Sequence, residues 1–259
     1  MSGLTLHNAP QSTCSQRVRY TLHTKGLVFQ ENRLDLFSGD QLKPEYLALN
    51  PNGVVPTLQD DDAVIIDSAV IMEYLDETHA VPPLSPVGPL ARAEMRSMMR
   101  FIDEVPTPAV RVPSYNLAFL PHFQAMSEEE FQALCDSKPL RREFLMKMGR
   151  TGFPEQDMNE ATARLQRGVD RMAGWLQGSG GPWIMGAHLT LADIAMMPVI
   201  VRLDDIGMET LWDDYSHVAR WLELIRETQA YEKTYYFGAL LTEQYPDLAE
   251  RLGKPASAA

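Results

Sequence analysis

The sequence predicts an α/β domain at the N-terminus followed by an all-α domain. Three observations lead to this prediction: strand-like and helical segments alternate over residues 1–80, a proline-rich segment covers 81–90, and apolar residues have helical spacing over 91–259. We therefore divide the chain into a first domain (1–80), a linker (81–90) and a helical domain (91–259).

The first domain shows the order β-α-β followed by β-β-α. The predicted elements are a strand at 4–6, a helix from 13 to about 26, a strand at 28–36, a strand pair at 57–58 and 63–66, and a helix beginning at 68. The first helix is indicated by Thr13-Cys14-Ser15-Gln16, which has the pattern of a capping box. Ser68 is the expected cap of the last helix.

Prolines and helical periodicity indicate the linker and the second domain. Four prolines and one glycine lie within the nine residues 81–89, a composition that no regular element tolerates. Farther along, apolar residues step by four and three at Leu165, Val169, Met172 and Leu176. This spacing predicts a helix with one apolar stripe.

The composition excludes several classes of function. The chain has 259 residues and a formal net charge of -12, which disfavours nucleic-acid binding. It shows neither a membrane-spanning apolar stretch nor a signal peptide, so we expect a cytoplasmic protein with no membrane partner. Cys14 and Cys135 are the only cysteines and lie far apart in sequence, so we expect neither a disulfide framework nor a metal site.

A local basic group lies at Arg17, Arg19, Lys25 and Arg33. Charge alone favours a solvated helix face there.

Three separated motifs resemble landmarks of the cytosolic glutathione transferases. The segment 12–19 (STCSQRVR) is similar to the serine-bearing active-site loop of the zeta, tau and phi classes. The segment 50–58 (NPNGVVPTL) leads to Asp67-Ser68 at a helix start, and 186–193 (GAHLTLAD) resembles the buried capping box of the C-terminal domain. The resemblance implies a thioredoxin-like domain that binds glutathione, followed by a helical domain that binds the electrophile.

The resemblance makes Ser12 the candidate catalytic residue. Glutathione reacts as its thiolate, whereas a free thiol has a pKa of about 8.5 and is mostly protonated near neutrality. A hydroxyl at the N-terminus of the first helix can donate a hydrogen bond to the sulfur, and the helix dipole adds stabilisation. Ser15, one helical turn on, and Cys14, a possible thiol nucleophile, remain as alternatives.

The resemblance also implies residues that bind glutathione. Val55-Pro56 is similar to the family's cis-proline site, at which the backbone of the residue before proline pairs with the cysteinyl part of the ligand. Asp67 and Ser68 stand where the family holds the γ-glutamyl group. Gln41 and Lys43 lie in the segment that binds the glycyl carboxylate.

The electrophile is less closely defined. The extended segment 114–159 resembles an insertion in bacterial glutathione-dependent β-etherases, which favours an aromatic, hydrophobic electrophile and ether cleavage. Candidates for the apolar half of the site are Tyr115, Phe119, Met98, Met99 and the cluster 231–237.

Three hypotheses are open. They are a conjugating or ether-cleaving transferase, a thiol-disulfide, dehalogenating or isomerase enzyme that uses Cys14, and a non-catalytic binding protein. The resemblance implies a homodimer in each case.

Overall fold

The computed structural model describes residues 3–254, and its first part contains one mixed four-stranded sheet. The strands are β1 (Leu4–Asn8), β2 (Gln30–Arg33), β3 (Thr57–Asp60) and β4 (Ala63–Ile66). The order across the sheet is β2-β1-β3-β4, in which β1 and β2 are parallel and the other pairs are antiparallel. Leu6 lies opposite Leu58 in the register, and both side chains are fully buried.

Three helices accompany the sheet: α1 (Thr13–Thr24), α2 (Pro44–Leu47) and α3 (Ser68–Thr78). A short 3₁₀ helix at Asp40–Leu42 precedes α2. The predicted caps of α1 and α3 are each wrong by one residue, because Ser12 caps α1 and Asp67 caps α3. In both cases two adjacent residues are good N-caps, and local sequence does not choose between them.

The rest of the described chain is helical, which confirms the predicted fold class. Its α-helices are α4 (Pro89–Glu104), α5 (Pro106–Ala109), α6 (Arg111–Ser114), α7 (Leu120–Gln124), α8 (Glu128–Asp136), α9 (Arg142–Met148), α10 (Glu155–Ser179), α11 (Leu191–Asp205), α12 (Ser216–Arg226), α13 (Gln229–Thr234), α14 (Leu241–Gln244) and α15 (Pro246–Arg251). A π-helical turn at Tyr115–Phe119 joins α6 to α7, and 3₁₀ turns lie at Pro139–Arg141 and Glu209–Trp212. The domain limits at 80 and 90 stay a prediction. Within residues 3–254, none of these helices combines the length and apolarity needed to cross a bilayer.

The main core connects the sheet with the helices through α11. This helix is buried on nearly all sides and contacts α1, α4 and α12. A helix that is apolar all round belongs in a core, which explains why α11 lacks a polar face. Thr190 and Asp193 form the capping box expected from the sequence. The predicted stripe on α10, from Leu165 to Leu176, is also buried here.

A second core anchors the segment 114–159. Its buried members include Phe119, Phe123 and Phe131, which pack with Leu241 and Leu248 from the C-terminal helices. Aromatic side chains supply much buried apolar area, so this packing holds the segment in a fixed position. The segment therefore forms a stable wall on the helical part of the molecule.

Candidate active site

A cleft lies between the loop that precedes α1 and the helical part. Residues of both parts line it, among them Ser12, Cys14, Gln41, Val55, Tyr115 and Arg141. Ligand sites are commonly concave and lie between domains. This cleft is accordingly the candidate active site.

Ser12 lies at the start of α1 and faces the cleft. Its Oγ accepts a hydrogen bond from the amide of Ser15 at 3.2 Å, which makes it the N-cap. Within residues 3–254, no acceptor takes the hydroxyl hydrogen of Ser12. That hydrogen can therefore be donated to an anion in the cleft, at a helix end that already favours negative charge.

Two buried arginines hold the loop before Ser12. Arg19 donates to the carbonyl oxygens of Ala9 at 3.2 Å and Pro10 at 2.8 Å. From α11, Arg202 donates to the carbonyl oxygen of Gln11 at 2.7 Å. Charge-assisted hydrogen bonds are stronger than neutral ones, so these contacts fix the loop in place.

The basic group near the N-terminus is not the solvated helix face that charge alone favours. Arg17, Arg19 and Lys25 are buried, and only Arg33 of the four is exposed. Arg17 pairs with Asp103 on α4 at 2.5 Å. Burial opposes the charge of Arg17, but the Asp103 carboxylate raises its pKa above the ordinary value. The three buried cations, Arg17, Arg19 and Lys25, connect α1 to other parts of the protein.

The two alternatives to Ser12 have different environments. Ser15 is fully buried, does not line the cleft, and accepts a hydrogen bond from the amide of Ala9 at 3.4 Å. Cys14 is a partly exposed free thiol that lines the cleft. Of these two side chains, only Cys14 is open to a ligand.

The backbone at Val55 is available at the edge of the cleft. The Val55-Pro56 peptide bond is cis, as the resemblance implies. The neighbouring carbonyl oxygen of Val54 accepts hydrogen bonds from Tyr46 and Asn50 at 2.7 and 2.9 Å. Within residues 3–254, the amide and carbonyl of Val55 have no hydrogen-bond partner, so they can pair with an extended ligand.

Asp67 and Ser68 lie at the start of α3. Asp67 has a φ of 73°, and its Oδ1 accepts hydrogen bonds from the amides of Ala69 and Val70 at 2.9 and 3.1 Å. Oδ1 is thus engaged in capping, whereas Oδ2 has no hydrogen-bond partner within residues 3–254. Neither Asp67 nor Ser68 is among the residues that line the cleft. Ser68 is nearly buried as the first residue of α3.

Gln41 and Lys43 differ in their access to the cleft. Gln41 lines it and donates from Nε2 to the carbonyl oxygen of Leu36 at 3.3 Å, while its buried Oε1 has no partner within the described chain. Lys43 is exposed outside the cleft lining and pairs with Asp40 at 2.7 Å. The structure therefore brings Gln41, but not Lys43, to the candidate site.

The opposite wall of the cleft is aromatic. Tyr115 and Phe119, both candidates from the sequence, line it and pack edge to face at 5.0 Å. Phe37, which follows β2, and Phe123 also line the cleft, and sequence reasoning missed both. The other sequence candidates, Met98, Met99 and 231–237, do not line the cleft.

The lining of the cleft is also basic. Arg111, Lys138, Arg141 and Arg202 line the cleft, and no aspartate or glutamate does so among the described residues. Burial lowers the pKa of Lys138 and of Arg141, and the neighbouring Arg111 lowers that of Arg141 further. Burial raises the pKa of Tyr115, so its hydroxyl stays protonated and can donate. None of these cations had been singled out from the sequence.

Comparison with protein families matches two separate parts of the chain. Residues 11–78 match the model of the glutathione S-transferase N-terminal domain, and residues 155–224 match that of the C-terminal domain. The two matched ranges leave 79–154 between them. That interval contains three of the four cleft cations.

Individual relatives cover most of the chain. Glutathione S-transferase 1 of Dianthus caryophyllus is 30% identical over 205 residues, which is 79% of each chain. Protein LigF of Sphingobium sp. strain SYK-6 is 28% identical over 83% of this chain and 86% of its own length. The crystal structure of β-etherase LigF aligns with a TM-score of 0.81 and 26% identity, covering 90% of this chain and 98% of that one.

Proposed function

Because this chain belongs to the glutathione S-transferase family and glutathione is its co-substrate, we propose that Ser12 activates the glutathione thiol for attack on an aromatic electrophile. The observation that carries this proposal is the Ser12 hydroxyl, which faces the cleft at the N-terminus of α1 with its hydrogen uncommitted. A hydrogen bond to the sulfur stabilises the thiolate, and the helix end adds to the effect.

The proposed chemistry is a nucleophilic displacement. The thiol releases its proton to solvent when glutathione binds, and the thiolate sulfur then forms a bond to the electrophilic carbon. The bond from that carbon to its leaving group breaks, and the leaving group departs with the electron pair. In an aryl ether the leaving group is a phenolate, which takes a proton from water. Holding both reactants in the cleft supplies much of the rate.

Glutathione would bind along the edge of the first domain. The free backbone groups of Val55, which precedes Pro56, would pair with the cysteinyl residue as an added strand does. Asp67 and Ser68 would hold the γ-glutamyl group, and the Gln41 amide would meet the glycyl carboxylate once it turns toward it.

The aromatic wall supports an aromatic electrophile. Tyr115, Phe119 and Phe123 offer apolar surface across the cleft from Ser12. The likeness to β-etherase LigF makes β-aryl ethers the first substrates to test. Lys43 would reach glutathione only by leaving its ion pair with Asp40.

A second candidate function uses Cys14, because its thiol is partly exposed in the cleft. Here the Cys14 thiolate would attack one sulfur of glutathione disulfide, form a mixed disulfide and release glutathione. Thiol–disulfide exchange of this kind needs no other oxidant.

The test combines binding with turnover. We expect the protein to be retained on immobilised glutathione and to cleave β-aryl ethers or conjugate chlorodinitrobenzene. Ser12→Ala should lower kcat/KM by about a hundredfold, the usual cost of removing one donor to a developing anion, whereas Cys14→Ala and Ser15→Ala should stay within a few-fold of wild type. Full activity in Ser12→Ala, together with a mixed disulfide on Cys14 by mass spectrometry, would instead support the second candidate. Failure to bind glutathione would contradict both.

We also propose a homodimer in the cytoplasm. Exposed apolar side chains lie on three neighbouring elements: Val64 on β4, Val70 on α3 and Leu90 on α4. Arg96 of α4 pairs with Glu73 of α3 at 2.6 Å, which places these two helices side by side. Light scattering of wild type and Val70→Asp tests this interface; a monomeric wild type would contradict it.

A further inference from the structure

We propose that the aromatic electrophile carries a carboxylate, which Arg111, Lys138 and Arg141 bind across the cleft from Ser12. This proposal rests on the proposed function for the identity of the site. It adds a substrate class, namely aromatic acids. It concerns the interval 79–154, which neither family match covers.

The charge of the cleft is opposite to that of the protein. The chain has 23 basic and 35 acidic residues and a net charge of -12. Among the described residues that line the cleft, four are basic and none is acidic. A cleft lined by one sign of charge concentrates ligands of the opposite sign, and here that ligand is an anion.

Three of these cations have no counter-ion within residues 3–254. Arg111, Lys138 and Arg141 form no ion pair there, although Arg142, the next residue in the chain, pairs with Asp136 at 2.8 Å. Lys147 on the same helix as Arg142 likewise has a carboxylate partner at 2.6 Å. Two exposed basic residues of this segment, Arg142 and Lys147, are therefore neutralised, whereas Arg111, Lys138 and Arg141, which line the cleft, are not paired within residues 3–254.

The backbone that carries Lys138 and Arg141 is held in place by the packing of its neighbours. Lys138 directly precedes the 3₁₀ turn Pro139–Arg141, and Arg141 is the last residue of that turn. The turn lies between α8 and α9, which both pack into the second core. Arg111 lines the same cleft as Arg141, and its charge depresses the pKa of Arg141 beyond the effect of burial. Grouping half-buried like charges is unfavourable unless a ligand neutralises them.

A carboxylate on an aromatic ring fits these groups. Guanidinium groups bind carboxylates through two parallel hydrogen bonds, and the protonated hydroxyl of Tyr115 can add a third donor. The ring would lie against Phe119 and Phe123. The fourth cation, Arg202, is already committed to the loop at Gln11.

The test measures binding rather than turnover, so it does not require the electrophilic carbon of the natural substrate to be known. We would titrate the protein calorimetrically with para-nitrobenzoate and with the neutral para-nitrobenzamide, in the absence and presence of saturating S-methylglutathione. Wild type is expected to bind the acid about tenfold or more tightly than the amide, since a charged hydrogen bond contributes about 1.5–3 kcal/mol. S-methylglutathione should leave this preference in place.

Variants locate the anion. Arg141→Met should weaken binding of the acid by about tenfold and leave the amide within about twofold, and Lys138→Met provides a second variant. Arg142→Met removes the same charge at the adjacent position outside the cleft, and should leave both ligands within about twofold.

Three outcomes would overturn the proposal: equal affinity for acid and amide, equal effects of Arg141→Met and Arg142→Met, or competition between the acid and S-methylglutathione. The last would show that the cluster binds a carboxylate of glutathione instead. Failure of S-methylglutathione to bind would contradict the proposed function. The ratio of the affinities for the acid and the amide would still test the carboxylate site separately.

Discussion

Asp193 is a residue at which a single substitution should cost much stability. Its side chain is fully buried at the start of α11. Oδ1 accepts hydrogen bonds from the amide of Ile184 at 2.8 Å and from the indole of Trp221 at 2.9 Å. Oδ2 accepts from the amide and the hydroxyl of Thr190, both at 2.9 Å. One carboxylate thus connects a loop, a helix start and α12.

The expected loss for Asp193→Ala follows from these four contacts. The substitution leaves three buried N–H groups without an acceptor, at Ile184, Thr190 and Trp221. Each unsatisfied buried group costs about 1–3 kcal/mol. Neighbouring effects are not additive, because the chain relaxes and water enters. We therefore expect a total loss of about 4 kcal/mol, at the low end of the sum.

Urea unfolding followed by tryptophan fluorescence measures this loss. The matched control is Asp214→Ala, an exposed aspartate for which no side-chain hydrogen bond or ion pair occurs within residues 3–254, and it should stay within about 0.5 kcal/mol of wild type. A loss below about 1 kcal/mol for Asp193→Ala would refute the reasoning, since it would mean that the buried donors find other partners.

Two further predictions concern packing and pH. Gly168→Ala would place a Cβ 2.9 Å from Pro106. The clash should cost about 2 kcal/mol and the better helix propensity of alanine should recover about 1 kcal/mol, so thermal unfolding should show a net loss of stability of about 1 kcal/mol. Gly174→Ala on the same helix meets nothing within 4 Å and should instead stabilise by about 0.5–1 kcal/mol; equal effects would contradict this account. Burial opposes ionisation of Glu31, but hydrogen bonds from Tyr236 and other donors lower the pKa of Glu31 below its ordinary value. The stability it provides is therefore present at neutral pH and is lost as the pH falls through the folded-state pKa. Glu31→Gln should be less stable than wild type at pH 7, and the difference in the free energy of unfolding between the two proteins should become smaller in acid. A difference that becomes larger in acid would contradict this account.

Local sequence predicted the order of elements well because each signal is short-range. The strand pair around the acidic turn, the stripe on α10 and the capping box at Asp193 depend on residues a few positions apart. The sequence prediction is wrong at the ends of some elements. At the start of α1, for example, Ser12 and Thr13 are both good N-caps, and only the folded loop selects Ser12. The second strand is likewise shorter than 28–36, since only Gln30–Arg33 pairs with β1.

Sequence predicted the glutathione side of the cleft and two aromatic residues of the opposite wall, Tyr115 and Phe119, but not the basic residues of the cleft. Motifs near Ser12 and Val55 lie within continuous segments, whereas the basic wall combines Arg111 with Lys138 and Arg141, which are distant in the chain. Arg141 and Arg142 are adjacent, and no periodicity indicates which one faces the cleft. That distinction arises from the packing of the second core.

The thiol pKa of bound glutathione tests the central claim about Ser12 most directly. It is measured by ultraviolet titration of the thiolate in wild type, Ser12→Ala and Cys14→Ala, with Ser127→Ala as a control that removes the N-cap of α8 and does not line the cleft. Ser12→Ala should raise this pKa by about 1 to 2 pH units, the equivalent of one lost hydrogen bond to an anion. The other two variants should match wild type. An unchanged pKa in Ser12→Ala, or a rise confined to Cys14→Ala, would contradict the role assigned to Ser12.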